Sequence, residues 1–147
     1  MNPFNYRVDP NTFTMGGLGA GSYNAPNRAL PGEVAFSQRT GGGNVTQYVD
    51  DMANGRWDWS RSGPINVMRQ GDRYVTFDNR RLMAAREAKL SEIPINVVDS
   101  NAIRPGTKMT WEEAFRRRFN DPRNKRAGGV VPDSGLLELP AIAPTKQ

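Results

Sequence analysis

The sequence of 147 residues contains no cysteine and no histidine. These absences exclude disulfide bonds, thiolate or imidazole metal ligands, cysteine nucleophiles and a Ser-His-Asp triad. A general base must therefore come from Asp, Glu, Lys, Tyr or a metal-bound water. A bound metal ion must take oxygen ligands, which favours Mg²⁺, Mn²⁺ or Ca²⁺. No stretch approaches the roughly 18 apolar residues of a spanning helix, so no membrane partner is expected.

Apolar residues are also scarce, at 37% of the chain, whereas there are 15 glycines and 11 prolines. This composition favours one domain with a modest core and long loops. Residues 1–32 show no sustained helical or strand periodicity, which predicts a flexible leader. Residues 127–147 predict a loop-rich C-terminal tail. The folded domain is therefore expected over residues 33–126.

The positive charge is concentrated in one part of the chain. The formal net charge is +5, and residues 100–126 carry eight basic and three acidic side chains. Such a segment favours a polyanionic partner such as nucleic acid, nucleotide phosphates or an acidic protein, although a solvated helix face has the same composition. The basic residues expected to follow a phosphate backbone are Arg116, Arg117, Lys125 and Arg126.

Alternating and helical hydrophobic patterns predict the order of the elements. Short strands are expected at 34–38, 65–68, 74–77 and 93–98, with a hairpin around residues 70–72. Helices are expected at about 45–54, after Asp78, and from Thr110, where a capping box begins. This order predicts a small α+β domain with a short mixed sheet, flanking helices and loop-rich termini.

The segment Phe77-Asp78-Asn79-Arg80-Arg81 runs from a strand end directly into a helix start. Free backbone N–H groups and the positive end of the helix dipole suit such a place to an anion. Asp78 is favourable there as an N-cap, but two arginines in the first turn each cost a few tenths of a kcal/mol. A bound phosphate or carboxylate would offset that cost, so this turn is the predicted functional site.

Residues 77–99, FDNRRLMAAREAKLSEIPINVVD, resemble the core of the ParB/sulfiredoxin-like fold: a short strand, an arginine-containing turn, a helix and an "IPV-V" strand. Together with VAFSQ (34–38) and GPINVM (63–68) they resemble more closely the ParB-like toxin domains at the C-termini of Rhs and other polymorphic toxins. Sulfiredoxin carries a cysteine in this turn, and its absence here excludes sulfinic-acid chemistry. After residue 99 the pattern predicts one helix and loops, which argues against a CTP-gated DNA clamp.

The resemblance implies a bacterial antagonistic toxin, an effector domain delivered by a secretion system into the target-cell cytoplasm. Its producer would need an immunity protein, which the basic charge predicts to be acidic. The expected activity is that of a nuclease, acting on DNA rather than RNA. Arg80 and Arg81 are expected to grip the scissile phosphate, while Asp78 and Glu33 serve as general base or hold Mg²⁺ or another divalent cation.

Gln38 and Asn79 are expected to orient water or phosphate in the same site. Two other functions remain open. The turn would equally suit a nucleotide in an NTPase, a kinase or a nucleotide-transferring toxin, although no Walker-type phosphate loop is present. A non-enzymatic basic DNA-binding module would explain the charge, but not the two arginines at a helix start.

Overall fold

The computed structural model describes residues 27–142. Its strands are β1 (Asn27–Ala29), β2 (Val34–Ala35), β3 (Thr40–Gly41), β4 (Ile65–Gln70), β5 (Arg73–Thr76), β6 (Ile93–Val97) and β7 (Ala141–Ile142). Its helices are α1 (Val45–Ala53), α2 (Trp59–Ser62), α3 (Asn79–Glu87), α4 (Trp111–Phe119) and α5 (Pro122–Arg126), with a 3-10 turn at Pro31–Glu33. Five strands form one mixed sheet in the order β1-β6-β4-β5-β2, and β3 pairs with β7. The α+β class and the short mixed sheet are thus confirmed.

The longer helices begin where the sequence pattern predicts them. Helix α4 is capped by Thr110, whose hydroxyl accepts a hydrogen bond from the backbone N–H of Glu113 at 3.1 Å. The two helices that the pattern did not predict, α2 and α5, are single turns. Each is capped by an aspartate, Asp58 or Asp121, that accepts from the N–H two residues on. Helices this short bury too few residues to produce a periodic signal.

Two apolar cores lie on opposite faces of the sheet, because successive side chains of a strand point to opposite sides. In β4, Val67 contributes to the first core and Met68 to the second. The first core lies between the sheet and helices α1 and α3. The second core is built from the sheet and the aromatic face of α4, including Phe115. The sheet is therefore covered on both sides.

The ends of the described region are joined to this sheet. Strand β1 falls within the segment predicted as a leader, and it pairs antiparallel with β6, Asn27 opposite Ile95. Near the C-terminal end of the described region, Leu136 exchanges two backbone hydrogen bonds with Phe36, at 2.7 and 3.0 Å. The rest of the predicted leader, 1–26, and the last five residues of the predicted tail lie outside the described residues. Within 27–142, no helix has the length and apolar character needed to cross a bilayer.

The pairing of β2 with β5 brings the predicted site together. These strands are parallel, with Val34 opposite Tyr74 and Ala35 opposite Val75. Parallel strands end at the same edge of a sheet, so the residues that follow β2 lie beside the turn that follows β5. That edge faces α4, because the aromatic ring of Phe77 packs against Phe115 with 5.1 Å between ring centroids.

Candidate anion-binding site

A cleft of about 510 Å³ opens at this edge of the sheet. Its volume falls within the range of sites that bind small molecules or cofactors. The described lining includes five arginines and a single carboxylate. The arginines are Arg80, Arg81, Arg104, Arg118 and Arg123, and the carboxylate is that of Asp78. Such a lining attracts anions.

Asp78 occupies the N-cap position of α3, as the sequence predicts, but its side chain does not cap the helix. Its Oδ2 instead accepts a hydrogen bond from the backbone N–H of Asn66 at 2.6 Å and lies 3.4 Å from the guanidinium of Arg81. The first-turn N–H groups of α3 therefore receive no side-chain cap from Asp78. They remain available to an anion in the cleft.

The two arginines of the turn have different environments. Arg81 donates to the backbone carbonyls of Ser62, Gly63 and Pro64 and pairs with Asp78, so its guanidinium is occupied within the protein. Arg80 is exposed, and within residues 27–142 its guanidinium forms no hydrogen bond or ion pair. It faces the glycine loop at Gly43, where a Cβ atom would lie 3.2 Å from its Nη1. Of the two, Arg80 is the one available to a ligand.

Two further arginines reach the cleft from distant parts of the chain and stack on Phe77. The guanidinium of Arg118 lies 4.0 Å from the centre of this ring, and that of Arg104 lies 4.6 Å from it. Arg104 also lies 5.7 Å from the ring of Trp111. Cations held over an aromatic face keep their charge while losing side-chain freedom. Both guanidinium groups are thus positioned in advance.

The floor of the cleft is a buried network centred on Ser37 and Asn79. The Asn79 side-chain oxygen accepts from the Ser37 N–H at 2.8 Å, and its amide nitrogen donates to the Ser37 hydroxyl at 2.9 Å. The same nitrogen lies 3.2 Å from the side-chain oxygen of Gln38. The Ser37 hydroxyl donates to the carbonyl of Thr76 at 2.7 Å. The amide of Asn79 is therefore engaged in holding the floor, which differs from the expected role in orienting phosphate.

Asn124 of α5 connects this floor to the C-terminal end of α4. Its side-chain oxygen accepts from the Arg39 N–H at 2.8 Å, and its amide nitrogen donates to the Arg118 carbonyl at 2.8 Å. Longer contacts of 3.3 Å reach the carbonyls of Ser37 and Phe119. The side chain is almost fully buried. Asn124 thus fixes the position of Arg118 relative to the rest of the cleft.

The charges in the cleft are only partly compensated. Burial, followed by the nearby charges of Arg123 and Arg104, lowers the pKa of Arg118 from its ordinary value. Arg123 is paired with Asp121 at 3.0 Å, and this hydrogen-bonded pair holds the pKa of Asp121 at about 2. No ion pair of the described residues neutralises Arg80, Arg104 or Arg118. An entering anion would relieve their mutual repulsion.

The remaining predicted residues lie outside the cleft lining. Glu33 is exposed in the 3-10 turn, which Arg86 joins to the far end of α3 by a hydrogen bond to the carbonyl of Pro31. Glu33 and Asp78 therefore lie at opposite ends of α3, and the described residues contain no group of three or more acidic side chains that could hold a metal ion. Lys125 and Arg126 are exposed on α5.

The three consecutive arginines of α4 also differ in whether they reach the cleft. Arg116 and Arg117 are exposed and pair with Glu112 and Glu113 one turn earlier. Arg118 instead lies on the helix face that holds Phe115, because three residues along a helix return to nearly the same side. The position of this arginine in register with an apolar stripe was the available signal that separates it from the rest of the basic stretch. No comparable pattern distinguishes Arg104, which lies in an irregular segment.

The fold and the site together define an α+β domain with an arginine-lined cleft at one edge of its mixed sheet. The sequence matches no known protein-family model and no curated protein at a significant level.

Proposed function

We propose that this domain is a nuclease of the bacterial antagonistic toxin class, and that the cleft binds the scissile phosphate. The observation that carries the proposal is the group of three guanidiniums, Arg80, Arg104 and Arg118, beside the uncapped start of α3. None of the three has a carboxylate partner among residues 27–142. Fixed donors of this kind stabilise the charge that develops on a phosphoryl group during hydrolysis. In that reaction water attacks phosphorus, one P–O ester bond breaks, and the leaving oxygen takes up a proton.

Asp78 is the proposed general base, because it is the only carboxylate in the described lining of the cleft. Its Oδ2 is held by Asn66 and Arg81, which fixes its orientation. In a metal-dependent reaction Asp78 would instead be a ligand of Mg²⁺, together with substrate phosphate oxygens, and a metal-bound water would be the nucleophile, since Mg²⁺ commonly takes one or two carboxylates and retains several waters. The surrounding arginines oppose a cation on its own, so metal binding is expected to require the phosphate.

The succession of β5, an arginine turn, α3 and β6 supports a ParB/sulfiredoxin-like fold, which we propose for this domain. It also supports the toxin class that the resemblance implies. In that class the domain would be delivered by a secretion system into the target-cell cytoplasm. An acidic immunity protein would cover the cleft, and electrostatic attraction to the arginines would speed its association.

The test is incubation of the purified protein with plasmid DNA and with total RNA, in EDTA, Mg²⁺ or Mn²⁺. Arg80→Ala should abolish cleavage without altering the urea-unfolding midpoint, because this guanidinium forms no hydrogen bond or ion pair in the described residues. Arg116→Ala is the matched control, since it removes an exposed arginine outside the cleft. Cleavage that survives Arg80→Ala would refute the assignment of the reaction to this cleft, and nucleic acid left intact by the wild type under every condition would refute the nuclease.

A nucleotide-binding function is the second candidate, and the charge of the cleft favours it. Three uncompensated guanidiniums exceed the single negative charge of an internal phosphodiester, but they match a di- or triphosphate. Titration with ATP and CTP in Mg²⁺ would separate the candidates: binding of a free nucleotide without nucleic-acid cleavage supports an NTPase, kinase or nucleotide-transferring toxin. Salt-sensitive DNA binding without any reaction would instead indicate a non-enzymatic DNA-binding module.

A further inference from the structure

We infer that Gln38 is a positioning residue, whose neutral amide holds Arg118 in the cleft without cancelling the positive charge. The side-chain oxygen of Gln38 accepts from Nη1 of Arg118 at 2.6 Å and from the amide of Asn79 at 3.2 Å. Its amide nitrogen donates to the carbonyl of Thr40 at 2.9 Å. The amide oxygen and the amide nitrogen of Gln38 thus both form hydrogen bonds within the protein. The inference rests on the proposed function of the cleft as a phosphate site.

The contacts of Arg118 are all with uncharged groups. Besides Gln38, its guanidinium donates to the carbonyl of Phe77 at 3.3 Å and lies over the ring of the same residue. Within residues 27–142, no carboxylate approaches it closely enough to form an ion pair. Cations that leave bulk water in proteins are normally paired with an acid, because desolvation of an unpaired charge is unfavourable. Arg118 departs from this rule inside a cleft lined with other arginines.

A neutral acceptor explains this departure. A carboxylate at the position of the Gln38 amide would form a charge-assisted pair with Arg118 and would compete with any phosphate for it. The amide supplies the same hydrogen bond, orients the guanidinium and leaves its charge for the ligand. The Gln38 oxygen also accepts from the amide of Asn79, so it connects Arg118 to the N-terminus of α3, where Arg80 lies.

Gln38→Glu tests the role directly, because it replaces the amide by a carboxylate of nearly the same shape. The probe is fluorescein-labelled oligothymidylate of 12 nucleotides, whose bases do not become protonated between pH 4 and 7. At pH 7 the variant should bind at least about tenfold more weakly than the wild type, since its carboxylate occupies Arg118. The pair with Arg118 lowers the pKa of the new carboxyl group, so binding relative to the wild type should recover only in part as the pH falls to 4. A purely structural role would not produce this pH dependence.

The cleft contains other charged groups in both proteins, so the wild type is measured over the same pH range. These groups are Asp78, Arg80 and Arg81 on α3, Arg123 on α5 and Arg104 in the preceding loop. Gln70→Glu, at the hairpin turn between β4 and β5, is the matched control for the change in net charge. Gln38→Met removes the acceptor without adding charge, and should weaken binding about threefold to tenfold at every pH.

Urea-unfolding midpoints confirm that each variant is folded before its binding is compared. A Gln38→Glu protein that binds the probe as tightly as the wild type at pH 7 would overturn the inference, as would a loss of binding that is the same at every pH. The proposed function fails differently: in that case the wild type itself binds neither the oligothymidylate nor inorganic pyrophosphate, and the inference falls with it.

Discussion

Replacement of Asn124 by alanine should destabilise the domain by about 3 kcal/mol. The substitution removes two hydrogen bonds of 2.8 Å, with the Arg39 N–H and the Arg118 carbonyl, and two longer contacts of 3.3 Å. Each short bond contributes about 1 kcal/mol net, and the buried groups left without partners account for the remainder. No water can replace the side chain easily at a site that is 1% exposed.

Urea unfolding followed by tryptophan fluorescence measures this loss. With a slope of about 1.5 kcal/mol per molar urea, the midpoint should fall by about 2 M. Asn120→Ala is the matched control: Asn120 is exposed and donates one bond of 2.8 Å to the Arg116 carbonyl. Its loss should cost less than about 0.5 kcal/mol. Equal midpoints for the two variants would refute the assigned role of Asn124.

Asn124→Asp provides a second arm with a pH signature. The aspartate keeps an acceptor for the Arg39 N–H but places a second oxygen against the carbonyls of Arg118 and Phe119. Protonation restores a donor there, so folding raises the pKa of the new carboxyl group. Relative to the wild type, the variant should therefore be least stable near pH 7 and gain stability as the pH falls. A pH-independent difference would contradict the hydrogen-bond directions given above.

Three further changes test other parts of the structure. Gly135→Ala should lower the free energy of unfolding by about 2–4 kcal/mol, measured by thermal unfolding. The backbone φ of Gly135 is +75°, and the new Cβ would lie 2.7 Å from the Cβ of Ala35 and 2.8 Å from the carbonyl oxygen of Phe36. Gly71→Ala, at a position with a positive φ but open space, should cost distinctly less. Arg86→Met should cost about 3 kcal/mol in urea unfolding, since three backbone carbonyls lose their charged donor; an unchanged midpoint would contradict this. The pairing with Arg123 lowers the pKa of Asp121 from 3.8 to about 2. This pair therefore stabilises the fold above about pH 4, and its contribution is lost between about pH 4 and 2. Asp121→Ser keeps a capping oxygen without the charge, so its free energy of unfolding should decline less steeply over that range.

Local patterns were sufficient to predict the main elements. Helices α1, α3 and α4 begin within about one residue of their expected starts because their apolar spacing, or their capping threonine, acts over only one or two turns. Strands β2, β4, β5 and β6 were recognisable from alternation, although β2 ends at Ala35 rather than at residue 38, and β4 and β5 form the predicted hairpin. Strand β1 was not recognised, because it lies in the segment predicted as a leader. The single-turn helices and the two-residue strands β3 and β7 were not recognisable, since their formation depends on partners that are distant in sequence.

The candidate site was only half visible to sequence analysis. The turn from Asp78 to Arg81 is contiguous, so its anion-binding character follows from the strand-to-helix junction itself. What each side chain does there depends on neighbours that are distant in sequence: Arg81 is occupied by the carbonyls of residues 62–64, and Asn79 is buried by Ser37. Arg80 and Arg81 are adjacent and of the same type, so the sequence alone could not show which of them is available to a ligand.

The sequence by itself determined the chemistry that this protein can use and the position of one wall of its cleft. The absence of cysteine and histidine leaves oxygen, lysine amino and guanidinium groups as its reactive side chains, and the charge of the chain favours an anionic ligand. Only the tertiary structure decided which of the many arginines face that ligand. The parallel pairing of β2 with β5 and the packing of Phe77 under α4 bring Arg104 and Arg118 to Arg80 across 24 and 38 positions of the chain. Such contacts depend on the closure of the whole fold, and no local pattern records them.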